Sequence, residues 1–230
     1  SCKKETENET NQTNTDPFAG LIRLGEVQIT GAAARARLYA ADSLHTGYNT
    51  IYIQVLDSAT GTWLKEGHLS LNPMMDMGMM QHSSPVENSS SSAPEGGIYQ
   101  AAMVFTMPGD ASQWSITVQF HNHANNKSGT GTLGVSVSEH SPARLINTVI
   151  AGDSNAKVFI SLVKPLKPKT GTNDFEIAIH KKATMMSYPA VEDYTIEIEP
   201  SMPSMGHGSP NNENPVHAGI GHYKGKVNYT

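Results

Sequence analysis

The sequence predicts an all-β protein made of two similar antiparallel sandwiches, and three observations predict it. Short runs alternate apolar with polar residues, as in Trp114-Ser115-Ile116-Thr117-Val118-Gln119-Phe120 and Tyr194-Thr195-Ile196-Glu197-Ile198, and a period of two marks half-buried strands. Gly, Pro, Asn and Ser clusters separate these runs at loop spacing, and no segment of a dozen residues holds a 3.6-residue period. The third observation is an internal repeat: Gly47 and Gly171, Tyr99 and Tyr223, and Thr106 and Thr230 each lie 124 residues apart. A period this long denotes duplicated domains rather than a solenoid. The expected architecture is therefore two tandem immunoglobulin-like β-sandwich domains, each of roughly 110 to 125 residues, an ordinary domain size.

In chain order, residues 1–19 are expected to form a disordered tether, because Lys3 to Asp16 is charged and polar with no apolar period. The only cysteine is Cys2, so an intrachain disulfide is excluded. Ser1-Cys2 followed by KKETENETNQTNTDP resembles the cleavage site and tether of a bacterial lipoprotein, in which a small residue precedes the cysteine that becomes lipidated. The Lys-Lys-Glu-x-Glu run resembles the acidic signals that send some Bacteroidetes lipoproteins to the cell surface. That resemblance implies lipidation at Cys2, a membrane partner through an N-terminal lipid anchor, and a cell-envelope location. No run of about 18 apolar residues occurs, which excludes a spanning helix in this sequence.

Residues 20–140 are read as the first domain and 141–230 as the second. Arg23-Leu24 answers to Arg144-Leu145, and Ile51-Tyr52-Ile53-Gln54-Val55 answers to Phe175-Glu176-Ile177-Ala178-Ile179. After Thr106 the first copy continues through two further strands and Trp114, whereas the second stops at Thr230. The second domain is accordingly expected to be truncated, either because the sequence is a piece of a longer chain or because it leaves an exposed sheet edge.

The chemistry-bearing residues gather in two loops at corresponding places, PMMDMGMMQHSSP (73–85) and PSMPSMGHGSP (200–210). Of eleven methionines, Met74, Met75, Met77, Met79, Met80, Met202 and Met205 fall in these loops, and Met186 lies shortly before the second. Thioether and imidazole form a soft ligand set that suits Cu(I) better than Mg, Ca or Mn. The second loop offers Met202, Met205 and His207; the first offers Met75, Met79, Met80 and His82, with His82 aligned to His207 and either Met79 or Met80 aligned to Met205. Copper is the expected cofactor. The competing structural interpretation is that the methionines plug the open end of each sandwich as flexible gap-fillers, with the histidines bonded to backbone.

Other candidates are weaker. His121 and His123 alternate on a strand, so they share a face at a spacing that permits a common metal. His217 and His222 follow the second loop and could complete its site. Gly129-Thr130-Gly131-Thr132-Leu133-Gly134 matches the dinucleotide fingerprint in letters, but a strand follows it where that motif needs a helix. Net charge is −5 and Lys and Arg are scattered, which argues against a nucleic-acid partner. No Ser-His-Asp or Cys-His arrangement is visible, and an enzyme is not expected.

The Met-Pro-x-Met-Gly-His-Gly segment at 202–208, followed by Gly221-x-Tyr223, resembles the YtkA-like and FixH-like group of small extracytoplasmic immunoglobulin-like domains. The first copy carries the later part of that pattern in Gly97, Tyr99, Met107, Gly109 and Trp114, while Met79, Met80 and Gln81 interrupt its Gly-His pair. The resemblance implies an envelope location and a link to copper handling or cytochrome oxidase assembly. Copper buffering or delivery, with a copper-receiving envelope protein as partner, is the expected function. The alternative is a metal-free interaction or scaffold module whose methionine loops form a packing or partner surface.

Overall fold

The structure, a computed structural model, describes residues 16–202 and 206–229. Cys2, nearly all of the expected tether, and Met205 lie outside the described residues. The fold is all-β and antiparallel, and its strands form sandwich layers as expected. Residues 16–19, at the end of the expected tether, are part of the described structure. Asp16 accepts the Phe18 N–H through Oδ1 at 3.0 Å, and Phe18 is buried, stacked on Tyr39 with ring centres 4.4 Å apart.

In the first half, β1 (Ile22–Ile29), β2 (Ala34–Ala40), β3 (Gly47–Asp57), β6 (Val86–Glu87) and β7 (Tyr99–Phe105) form one sheet in the order β1-β2-β3-β7-β6. A second sheet joins β4 (Gly67–Asp76), β5 (Gln81–His82), β8 (Trp114–Asn122) and β9 (Lys127–Gly134) in the order β5-β4-β8-β9. The alternation decides which side chains go inward. Leu38, Ile51, Ile53 and Val55 from the first sheet meet Leu69, Leu71, Trp114, Ile116, Val118 and Phe120 from the second in one core.

The second half repeats the first sheet: β10 (Leu145–Ile150), β11 (Ala156–Lys164), β12 (Gly171–Lys181), β15 (Glu213–Gly219) and β16 (His222–Tyr229) lie in the order β10-β11-β12-β16-β15. A two-stranded hairpin, β13 (Ser201–Met202) with β14 (His207–Gly208), stands apart from it. The repeat extends to individual hydrogen bonds. Gly47 pairs with Phe105 and Gly171 with Tyr229 at the starts of equivalent ladders, and both glycines take positive φ, 104° and 92°. The Asn49 amide bonds the His45 and Gly47 carbonyls as the Asn173 amide bonds those of Lys169 and Gly171. Tyr99 donates to the Gly67 carbonyl at 3.1 Å, and Tyr223 to the equivalent Val191 carbonyl at 2.9 Å.

One strand expected from the sequence does not form. Tyr194 to Ile198 alternates cleanly, yet residues 191–200 carry no ladder. Its counterpart in the first half, β4, pairs with β8, whereas among the described residues no strand is paired with 191–200. A period-two pattern requires a neighbouring strand before it becomes a strand.

The halves meet through a buried polar network. The His222 ring donates from Nδ1 to Glu176 at 2.7 Å and from Nε2 to Glu87 of the first half at 2.9 Å. Two carboxylate acceptors on one ring require the doubly protonated imidazolium. Tyr48 donates to the other Glu87 oxygen at 2.8 Å, His180 Nε2 lies 3.6 Å from Glu87, and Lys164 lies 3.8 Å from Glu176. The hydrogen bond to Glu87 raises the His222 pKa above its ordinary 6.5 in spite of burial, with Glu176 adding to the effect. Burial tends to raise the Glu87 value, but the bonds from His222 and Tyr48 and the nearby imidazoles bring it below the ordinary range. Burial pushes His180 down to about 4.

The pH dependence follows from these directions. A base whose folded pKa is raised stabilises fully below its unfolded value, and that contribution is lost as pH rises through the raised value. A lowered pKa stabilises above the unfolded value, and the contribution is lost as pH falls through the lowered one. His222 therefore sets an alkaline limb, and His180 sets an acid limb between 6.5 and about 4. Urea-unfolding midpoints of the whole chain are expected to fall on both sides of the ordinary imidazole value. His222→Gln should lower the plateau and flatten the alkaline limb.

Candidate metal-binding hairpins

Each Met/His loop is a β-hairpin, and in each a methionine is paired across the ladder with the loop histidine. Met75 faces His82 between β4 and β5, and Met202 faces His207 between β13 and β14. In the first hairpin, residues directly opposite on the antiparallel pair have Cβ atoms about 4.5 to 5.5 Å apart on the same face.

The first hairpin closes through Met77 N–H to the Met80 carbonyl at 2.9 Å. Asp76 fixes the turn by accepting the Gly78 N–H at 2.7 Å and the Gln81 side-chain amide at 2.9 Å. Those two bonds hold the Asp76 carboxyl below its usual range. Met77, Met79 and Met80 project into solvent at this turn, with Met79 fully exposed.

Met75 and His82 lie on the other side. Met75 is 1% exposed and belongs to the core. A Cβ at Gly109 would sit 2.9 Å from Trp114 Cδ1 and 3.0 Å from Met75 Cε, so the glycine makes room for both. Trp114 donates its indole N–H to the Met107 carbonyl at 3.0 Å. The Met107, Gly109 and Trp114 pattern is therefore the floor under the hairpin. His82 is buried edge-on against Trp114, with ring centres 5.8 Å apart.

The structure thus divides the first candidate set. Met75 and His82 stand together on the inner side, and Met79 and Met80 stand at the exposed tip. Ladder position makes Met75 the counterpart of Met202; Met205, which the expected alignment pairs with Met79 or Met80, lies outside the described residues. The core position of Met75 follows from β4 itself, in which Leu69, Leu71, Pro73 and Met75 occupy one inward face.

The two histidines share one further feature. His82 Nδ1 lies 2.7 Å from the Ser83 carbonyl, and His207 Nδ1 lies 3.0 Å from the Gly208 carbonyl. A carbonyl only accepts, so Nδ1 carries the proton, and in the neutral ring Nε2 is left with a free lone pair. This is how metal-ligating histidines are commonly held: the second ring nitrogen donates to backbone and fixes tautomer and orientation.

The second half also reaches the first hairpin. Ser83 N–H donates to the Met185 carbonyl at 2.9 Å, which brings Met185, and Met186 next to it in the chain, to the first loop. Sequence order, which places Met186 shortly before the second loop, could not show this. Beneath β13 and β14 lies an open cleft of about 370 Å³ lined by Phe175, Ile198, Val227 and Tyr229.

His217 and His222 do not join His207. His217 Nε2 accepts the Gly221 N–H at 3.3 Å, and His222 is held between Glu176 and Glu87. His121 and His123 stand 5.6 Å apart between ring centres, and β4 adds His68 beside them. Among the described residues, no three His, Cys, Asp or Glu side chains are already gathered as a metal-holding group. Comparison with protein-family models, with curated proteins and with solved structures found no match.

The division of the first loop is testable by urea unfolding. Met75→Ala is expected to cost about 2–5 kcal/mol, the usual range for truncating a buried Met. Met79→Ala and Met80→Ala should each stay within about 0.5 kcal/mol of wild type, as exposed positions do.

Proposed function

We propose that this chain is a non-enzymatic, lipid-anchored cell-envelope protein of the YtkA-like and FixH-like kind. It binds copper through its Met/His hairpins and buffers it or hands it to a copper-receiving partner. The observation that carries this reading is the repeated pair: Met75 opposite His82 and Met202 opposite His207, each histidine with Nδ1 bonded to the next residue's carbonyl. Imidazole and thioether are both donors that suit Cu(I). His82 and Met75 would hold the ion in the first half, with Met79 and Met80 at the exposed tip apart from them; Met202, Met205 and His207 would hold it in the second.

A second reading is supported by a different observation. Met77, Met79, Met80 and Met186 are exposed, and flexible thioether side chains suit an adaptable surface for an apolar partner. On this reading the chain is a metal-free interaction module and the buried Met75 is packing alone.

Titration with Cu(I) against a competing chelator separates the two. Copper binding predicts two sites in the wild type, one in His82→Ala, one in His207→Ala and none in the double variant. Undiminished binding in the double variant, or no binding above that of an unrelated Met-containing protein, would reject the copper reading and leave the loops as a partner surface.

A further inference from the structure

A third group of donors lies at the far end of the first half, away from both hairpins. His68 on β4 and His121 on β8 are directly paired across the ladder, and His123 lies two residues beyond His121, in the turn that follows β8. His68 and Met75 stand near opposite ends of β4, which at about 3.3 Å per residue separates them by roughly 23 Å. The three imidazoles are mutual neighbours. Ring centres are 6.2 Å apart for His68 and His121, 4.9 Å for His68 and His123, and 5.6 Å for His121 and His123.

These separations can be compared with the dimensions of a metal centre. With metal–nitrogen bonds of about 2.0–2.1 Å and a further ~1.1 Å from nitrogen to ring centre, each ring centre lies about 3.2 Å from the ion. Three centres evenly spaced on a circle of that radius are ~5.5 Å apart, and the observed separations bracket this value. The ring centres already have the right spacing. The ring planes do not: His68 and His121 are stacked at 22°, while His123 stands at 76° and 71° to them. His68 and His123 are exposed, and exposed side chains turn between rotamers in picoseconds to nanoseconds.

His121 is the anchored member. Its Nδ1 lies 2.8 Å from Ser128 Oγ on the neighbouring β9, and with Nδ1–H donating to that hydroxyl, Nε2 is free as a ligand. His68 and His121 line a surface cleft of about 550 Å³ together with Thr30, Ser70 and Ser128.

We infer that His68, His121 and His123 form a three-imidazole site for a borderline divalent transition-metal ion, distinct from the thioether-containing hairpins. The donor set determines the class, since imidazole suits Zn, Cu, Fe and Ni and no thioether or thiolate is present to favour Cu(I). Three protein ligands leave a tetrahedral ion with its fourth position open to solvent or to a small donor.

The test is calorimetric titration of the whole chain with Zn²⁺, comparing wild type with His68→Gln, His121→Gln and His123→Gln. All three residues face outward, so each variant should keep the wild-type urea midpoint. Each is expected to lose more than the ~10–100-fold in affinity that removal of an outer-shell partner costs. Ser128→Ala should weaken binding within that smaller range. His140→Gln is the control, because its ring stands 5.1 Å from His45 in an unrelated pair. Zinc affinity unchanged in His121→Gln, or lowered equally in His140→Gln, would overturn the proposal and leave only scattered surface histidines. Binding that persists in the His82→Ala/His207→Ala double variant separates this site from the hairpins.

Discussion

An antiparallel sheet with one apolar face needs something to cover that face, and the two halves of this chain meet the requirement differently. In the first half, β4, β8 and β9 close over the β1-β2-β3-β7-β6 sheet, and Trp114 is the central contact. It packs against Phe105 with ring centres 5.0 Å apart, supports His82, bonds the Met107 carbonyl and shares with Met75 the space left by Gly109. Among the described residues of the second half, no sheet comparable to β5-β4-β8-β9 is present. Its core is the smaller cluster of Val158, Ile177, Ile179, Val191 and Tyr223, while Ile146, Val149, Val216 and Ile220 are 61%, 56%, 69% and 66% exposed.

The contact between the halves is correspondingly polar. Glu176, His222, Glu87 and Tyr48 form a chain of hydrogen bonds, with His180 alongside, in which one imidazolium is placed between two carboxylates. A buried ion network is weak evidence for stability, because desolvation offsets much of the Coulombic gain, but its bonds are directional. An apolar contact would tolerate sliding, whereas these bonds admit one orientation. The same orientation brings the Met185 carbonyl to Ser83 beside the first Met/His hairpin, so the network also fixes which methionines come near it.

What could be read from the sequence was whatever repeats locally or at a fixed offset. The period-two run at Trp114–Phe120 became β8, and the 124-residue offset matched β3 with β12 and marked the equivalent tyrosines and glycines. Tyr194 to Ile198 misled because alternation reports a side-chain pattern and is silent about whether a partner strand exists. Met75 was placed with the loop methionines because it stands in a methionine run; its inward phase with Leu69 and Leu71 was visible but outweighed by that run. His68 and Glu87 were not visible at all. His68 joins His121 only through ladder register, and Glu87 meets His222 across 135 residues.

The Met-opposite-His register is the same in both hairpins, while their surroundings differ. The first pair lies over Trp114 with His82 buried, and the second stands on a hairpin whose His207 is exposed. The local hydrogen bond at Nδ1 is the same, so the two imidazoles begin as equivalent donors. Burial then separates them. On the copper reading, a cation taken up beside His82 would exchange water for an apolar wall and an aromatic ring, whereas one taken up at His207 would stay in contact with solvent. On the copper reading, two sites with one ligand chemistry would therefore differ chiefly in exchange rate, with the first hairpin suited to holding the ion and the second to passing it on.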